Sequence, residues 1–239
     1  MKRLFTAILL MALTAPLSMA QIQKDTFTTN QGELEIWHIG HGTLMFKFGE
    51  NIIHVDPYSK LTDYNRLPKA DLILITHEHG DHLDTAAINA IRKPSSDIIL
   101  TSVCREIIRE GQTIANHETT TWNNLLIEAV PAYNLVHKRD NGEFYHPKGR
   151  GNGYILNFGD KRVYVAGDTE NIPEMKAIQN IDIAFLPMNL PYTMTPEMTA
   201  KAAKLFNPAI LYPYHYGDTD TNILVKLMKD NGKTEVRIR

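Results

Sequence analysis

Thr76-His77-Glu78-His79-Gly80-Asp81-His82 directly follows the apolar run Asp71-Leu72-Ile73-Leu74-Ile75. Four potential metal ligands, His77, His79, Asp81 and His82, fall within six residues at the end of what reads as a buried strand. Clustered imidazoles repel one another when protonated and need partners when buried. A divalent metal resolves both problems, because it holds neutral imidazole and carboxylate in a fixed geometry. The HxHxDH spacing therefore predicts a metal site on a strand–loop–helix turn. Apolar positions Leu83, Ala86, Ala87, Ala90 and Ile91 share one helical face, with Asp84 or Asp81 to begin the helix and Pro94 to stop it.

Upstream, Gln21 to Gly32 is polar and reads as an irregular lead-in. Glu33–Ile39, Thr43–Phe48 and Ile52–Val55 read as three strands of an antiparallel meander, with turns at Gly40-His41-Gly42 and Gly49-Glu50-Asn51. His38 and His54 fall inside strands and read as sheet residues. His41 lies between two glycines, where the backbone can approach a site closely. Asp56, at the end of the third strand, either caps a turn or orients an imidazole.

Downstream, Asp97–Thr101 reads as a strand, Val103–Glu110 as a helix and Asn123–Val130 as a strand. Tyr133 to Gly151 is a long loop, a length that marks function or disorder. Gly153–Phe158 and Lys161–Ala166 flank a Gly159-Asp160 turn. Ile181–Leu186, the helix Thr195–Phe206, Ala209–Tyr212, the helix Asp220–Lys229 and Thr234–Ile238 follow. A meander opens the first half, a hairpin opens the second, and both continue into strand–helix alternation. Two such halves can pack sheet against sheet with helices outside, an α/β four-layer αββα sandwich.

The chain has 239 residues, 43% of them hydrophobic and 22% charged, with a formal net charge of -2. That balance lacks the basic excess of nucleic-acid binders. Met1-Lys2-Arg3, an apolar stretch from Leu4 to Leu13 and small residues up to Ala20 have the layout of a secretory signal peptide cleaved after Ala20. The apolar core is too short for a comfortable membrane span, and Pro16 interrupts it. The expectation is a leader at 1–20, one domain at 21–239, and an exported protein, periplasmic or secreted, with no stable membrane anchor. Cys104, the single cysteine, excludes an intramolecular disulfide and reads as a small buried residue.

The positions of the remaining ligand-type residues decide the function class. Asp168 follows the apolar run Val163-Tyr164-Val165-Ala166-Gly167, and His215 follows Ile210-Leu211-Tyr212. Each sits just past a strand, where strand ends converge on one cleft. THxHxDH, then Gly-Asp-Thr, then Pro-Tyr-His-Tyr-Gly resembles the metallo-β-lactamase-fold superfamily. Within it, the chain is most similar to the branch of small metal-dependent hydrolases that includes L-ascorbate-6-phosphate lactonase-like proteins. The resemblance implies two divalent ions, zinc first and manganese or iron as alternatives. His77, His79 and one further histidine would hold the first ion; Asp81, His82 and His215 the second; Asp168 would bridge them. The further histidine comes from the long loop, as His146 or His137. His117 reads as a surface residue.

This ligand set suits a metal-activated hydroxide, so no serine or cysteine nucleophile is needed. Asp81 would also orient the nucleophile, with His41 and Asp56 supporting the site. Lys138, Arg139, Lys148 and Arg150 put four cations in the long loop, a pattern that suits a small anionic ester, lactone or phosphodiester. The competing readings are a nuclease or phosphodiesterase on nucleic acid and a non-catalytic metal-binding protein of the same fold.

Overall fold

Strands that are apolar at every position need cover on both faces. The first half supplies β1 (Gln23–Thr29), β2 (Gly32–Gly40), β3 (Thr43–Phe48), β4 (Asn51–Val55), β5 (Leu72–Leu74), β6 (Asp97–Leu100) and β7 (Gln112–Thr113). The second half supplies β8 (Thr119–Trp122), β9 (Leu125–Ala132), β10 (Gly151–Phe158), β11 (Lys161–Val165), β12 (Ile183–Pro187), β13 (Ile210–Tyr214) and β14 (Glu235–Val236). Each set forms its own sheet in sequence order. In the computed structural model, residues 22–229 and 232–239 are described; the expected leader at 1–20 lies outside them.

The two sheets repeat one plan. Each opens with three antiparallel pairings and continues with three parallel ones. Parallel neighbours need a crossover. Helices α1 (Thr85–Ile91) and α2 (Ser102–Ile108) make crossovers in the first half, and α3 (Pro196–Phe206) and α4 (Thr221–Met228) in the second. Asp84 caps α1 by accepting from the amides of Ala86 and Ala87. Thr195 caps α3, whose first position is Pro196.

Alternate side chains divide between the layers. Leu72 and Leu74 face the second sheet, where they join Phe46, Tyr154, Leu156 and Phe185 in the central core. Ile73 and Ile75 face outward onto Ile88, Ile91 and Cys104 beneath the helices. In the second sheet, Ile183 and Phe185 point inward, while Ala184 and Leu186 meet Ala203 and Phe206 of α3. The result is the expected four-layer αββα sandwich. Among the described residues, no helix is long and apolar enough to cross a membrane.

The reading of Gln21–Gly32 as a lead-in is corrected: Gln23–Thr29 is the edge strand β1, paired with β2 from Gln23↔His38 to Thr29↔Gly32. Its polarity follows from its position. An edge strand buries few side chains; here Phe27 packs on the core. Asp25 accepts from Tyr212 (2.8 Å) and from Arg239 (2.6 Å), which ties the first strand to the end of the chain. Strands β7 and β8 and the tight turn at Asn123-Asn124 were also not foreseen. Both asparagines are left-handed, with φ of 43° and 64°, as a two-residue hairpin turn requires.

Two hydrogen bonds hold the end of β5 to the second sheet. The fully buried Tyr154 hydroxyl donates to the carbonyl of Ile75 (2.8 Å), and the amide of Asn152 donates to the carbonyl of Thr76 (2.9 Å). Replacing Tyr154 by Phe leaves the Ile75 carbonyl without this donor. A stability loss of about 1–3 kcal/mol is expected, read as a lower urea midpoint with an unchanged slope. A Tyr154→Phe protein as stable as wild type would remove the hydroxyl from the account of how the sheets are joined.

Candidate metal centre

The chemistry-bearing residues lie at the C-terminal ends of the parallel strands, where open α/β sheets gather their functional loops. Asp56 follows β4, His77–His82 follow β5, Asp168 follows β11, and His215 follows β13. His41 comes from the β2–β3 turn, and its carbonyl accepts the amide of His215 (2.8 Å). His41, Asp56 and His215 have φ of 49°, 47° and 47°. Three non-glycine residues thus hold left-handed backbone at one place, a strain that concentrates at functional sites.

Potential donor atoms fall into three overlapping groups, each closing within 4.8 Å: His77, His79 and His146; His77, His82 and Asp168; His41, Asp81, His82 and His215. Asp168 lies between the imidazoles. Its Oδ2 is 3.2 Å from His146 Nε2, 3.5 Å from His215 Nε2 and 4.0 Å from His77 Nε2, and its Oδ1 is 3.6 Å from His82 Nε2. The Nε2 atoms of His77, His82 and His215 and the Oδ1 of Asp168 are buried without a hydrogen-bond partner. Buried polar atoms are rarely left unpaired. Orphaned nitrogen and oxygen atoms aimed at one point fit the donor set of a divalent ion.

The outward-facing nitrogens are engaged, and their partners set the tautomers. Asn134 Oδ1 accepts from the amide of His146 (2.7 Å) and from its Nδ1 (2.8 Å). Asp56 Oδ2 takes the Nδ1–H of His82 (2.8 Å) and the Thr76 hydroxyl (2.6 Å). The Thr76 oxygen in turn lies 3.0 Å from His77 Nδ1. In each case an acceptor holds the outer N–H and aims the inner Nε2 at the cluster, the arrangement that orients metal-ligating histidines. His79 is turned the other way: its Nδ1 lies 3.2 Å from His146 Nε2, and its Nε2 faces the guanidinium of Arg139.

Electrostatics follows from this crowding. Burial, then the neighbouring His82, press the His77 imidazole well below its ordinary range. Burial and the neighbouring His146 lower His79 to about 4. For His82 burial works in the same direction, but Asp168 and Asp56 outweigh it and raise the group to about 9. Burial pushes the Asp81 and Asp168 carboxyl groups up. For Asp81, hydrogen bonds to His215 and His41 reverse the sign; for Asp168, the charges of His215 and His82 do so. Both end well below the usual carboxylate range.

Of the expected site residues, His77, His79, Asp81, His82, His146, Asp168 and His215 all meet in the cluster. Between the two loop histidines, geometry separates the candidates. His146 reaches the cluster, whereas His137 Nδ1 is 2.7 Å from the buried Glu170. His41 lies at the rim with Nε2 2.9 Å from Asp81 Oδ2. Asp56 orients His82 and is fully buried. His38 pairs with Asp25, His54 with the carbonyl of Pro68, and His117 is exposed; none joins the cluster. Not foreseen were Asn134, Glu170 and Asn189, whose side-chain amide lies 3.5 Å from His215 Nδ1. Glu170 is fully buried and accepts the amides of Leu135, Val136 and His137 (each 2.8 Å) and the Asn134 side chain (2.9 Å). It shapes the loop that carries His146. The only signal in the sequence is a further carboxylate two residues after Asp168.

A cleft of about 390 Å³ opens onto the cluster between His41, Asp81, Arg139, Tyr145 and Tyr192. A separate cavity of about 180 Å³, on the outer face of the second sheet beside Tyr164 and Met175, shares none of the clustered residues.

Residues 26–215 match the beta-lactamase superfamily domain, and the chain belongs to that family. The fold is the metallo-β-lactamase fold. A crystal structure from Parabacteroides distasonis, described as a candidate metal-dependent hydrolase, superposes with a TM-score of 0.87 at 53% identity, over 91% of this chain and 98% of that one. A UPF0173 metal-dependent hydrolase from Methanopyrus kandleri is 30% identical over 200 residues, covering 77% of this chain and 84% of its own. A metallo hydrolase from Ignicoccus hospitalis, 24% identical, shares the fold with a TM-score of 0.72 over 86% of this chain and 94% of that one.

Two expectations follow. Asp168 and Asp56 keep His82 protonated up to about 9, and an ion at its Nε2 must displace that proton. Apparent metal affinity should therefore rise about tenfold per pH unit up to pH 9 and level off above it. Calorimetry of metal uptake in two buffers of different ionisation heat should read proton release near neutral pH; pH-independent affinity without release contradicts the assignment. A Cβ on Gly42 would lie 2.8 Å from His82 Cε1 and 3.3 Å from His215 Cδ2. Gly42→Ala should weaken metal binding roughly 10- to 100-fold while far-UV circular dichroism stays unchanged.

Proposed function

We propose that this metal-dependent hydrolase of the metallo-β-lactamase fold holds two divalent ions, zinc by preference, and cleaves a small ester, lactone or phosphodiester. His77, His79 and His146 would hold one ion, Asp81, His82 and His215 the other, with Asp168 shared between them. The observation that carries this reading is the set of orphaned buried donor atoms converging around Asp168. Mixed imidazole and carboxylate donors suit zinc, and also manganese or iron. Ions held there would lower the pKa of water and polarise the bond to be cleaved.

The protein groups do the rest. Asp81 is a third exposed and faces the cleft, so its carboxylate can align an attacking water. His41 hydrogen-bonds Asp81 at 2.9 Å and also lines the cleft. It is placed to hand a proton to the leaving group, while Asp81 stays ionised beside it. The ring of His41 lies against that of His215, with centroids 3.7 Å apart, which fixes its orientation. The closed sides of the cluster, with His82 fully buried and Asp168 and His215 nearly so, leave the cleft as the approach for substrate.

The test combines metal analysis with a panel of esters, lactones, β-lactams and phosphodiesters. Two ions per chain and turnover of at least one class are expected. His79→Ala should lose one ion and most of the activity. His41→Ala should keep both ions and lose roughly 10²- to 10⁴-fold in kcat. Retained hydrolysis in His79→Ala would refute the metal mechanism, and full kcat in His41→Ala would remove its proton-donor role.

A further inference from the structure

The four cations of the 133–151 loop are not equivalent. Lys148 pairs with Glu174 at 2.7 Å, and Arg150 pairs with Glu78 at 2.7 Å. Lys138 rests 4.7 Å above the ring of Phe144. Arg139 alone of the four lines the cleft, and among the described residues no carboxylate pairs with it. Its guanidinium lies 4.9 Å from the centre of the Tyr145 ring and contacts the carbonyl of Tyr145 at 3.4 Å. The ring of Tyr145 is braced edge-on by Tyr192, 5.0 Å away. A stacked arginine is held in place while its remaining N–H groups point outward.

The contact between Arg139 and His79 is the informative one. Nη2 lies 3.2 Å from His79 Nε2. A guanidinium has donors and no acceptor. If His79 turns its Nδ1 lone pair to the cluster, its Nε2 must carry the hydrogen. Two donors then face each other with no acceptor between them. An anionic oxygen placed beside both satisfies both. One guanidinium fork with one neutral N–H matches the two oxygens and the single charge of a carboxylate.

We propose that Arg139, with the Nε2–H of His79, is the specificity-determining site that reads a carboxylate on the substrate. This rests on the metal-dependent hydrolysis proposed above and narrows its substrate to a carboxylate-bearing ester or lactone. Lys148 and Arg150, neutralised by their glutamates, take no part.

The metal-loaded protein is assayed with 4-nitrophenyl hemisuccinate and 4-nitrophenyl butyrate, esters that differ by the carboxylate. Binding of the uncleaved anilides, succinanilic acid and butyranilide, is measured in parallel by calorimetry. Wild type should favour the anionic member at least tenfold in kcat/KM and in affinity. Arg139→Ala should lose that preference in both kcat/KM and anilide affinity, with metal content unchanged. Arg139→Lys should recover part of it, and Lys148→Ala and Arg150→Ala should retain it. A preference that survives Arg139→Ala, or no measurable binding of succinanilic acid, overturns the proposal. Hydrolysis of both esters without preference leaves the hydrolase reading standing and the carboxylate site refuted. An Arg139-dependent anilide preference without hydrolysis of either ester does the reverse.

Discussion

The buried carboxyl group of Asp56 is the constraint on which the site depends. Fully enclosed at the end of β4, it accepts the amide of Thr76 (2.8 Å), the hydroxyl of Thr76 and the ring N–H of His82. Its own amide donates to the carbonyl of Leu74, and its carbonyl accepts the Thr43 hydroxyl. Through Thr76 it also reaches His77. One residue thus fixes, by side chain and backbone together, where the chain leaves β5, which way two imidazoles face, and how β3, β4 and β5 end together. An unpaired carboxyl at zero exposure is costly; here three donors are recruited to it. The left-handed backbone at Asp56 is the strain that this network holds in place.

A parallel arrangement fixes the other side of the cluster. Glu170 gathers three successive amides of the loop after β9, and Asn134 relays that anchoring to both the amide and the ring of His146. A loop of this length carries large conformational freedom. A buried carboxylate at its base replaces the regular secondary structure it lacks. The same anchoring takes up the ring of His137, so its hydrogen bonding keeps it from the cluster.

The layers, the opening meander and hairpin, and the cluster were legible because their causes are local. Apolar runs, glycine turns and the HxHxDH spacing each occupy a few adjacent residues. The edge strand β1 was missed because an edge pays little for polar side chains, so Lys24, Asp25, Thr26 and Thr28 carry no burial signal. Strand β8, written Thr-Thr-Thr-Trp, was missed for the same reason, although Asn123-Asn124 is a hairpin signal in hindsight. Asn134 and Glu170 act across 36 residues of sequence, and the partners that give them meaning exist only once the loop is closed. The cations of the loop looked alike in the sequence. Their distinction depends on Glu78 and Glu174, which come from other parts of the fold.

The repeated plan of the two sheets has a consequence for assembly. The first half contributes His77, His79, Asp81 and His82; the second contributes His146, Asp168 and His215. Neither half owns a complete ligand set for either proposed ion, and Asp168 stands at the seam. A partly folded chain, with one sheet formed and the other open, therefore holds no finished reactive centre. Under that assignment the ligand set closes only across the interface of the two sheets, the same interface that buries the central core.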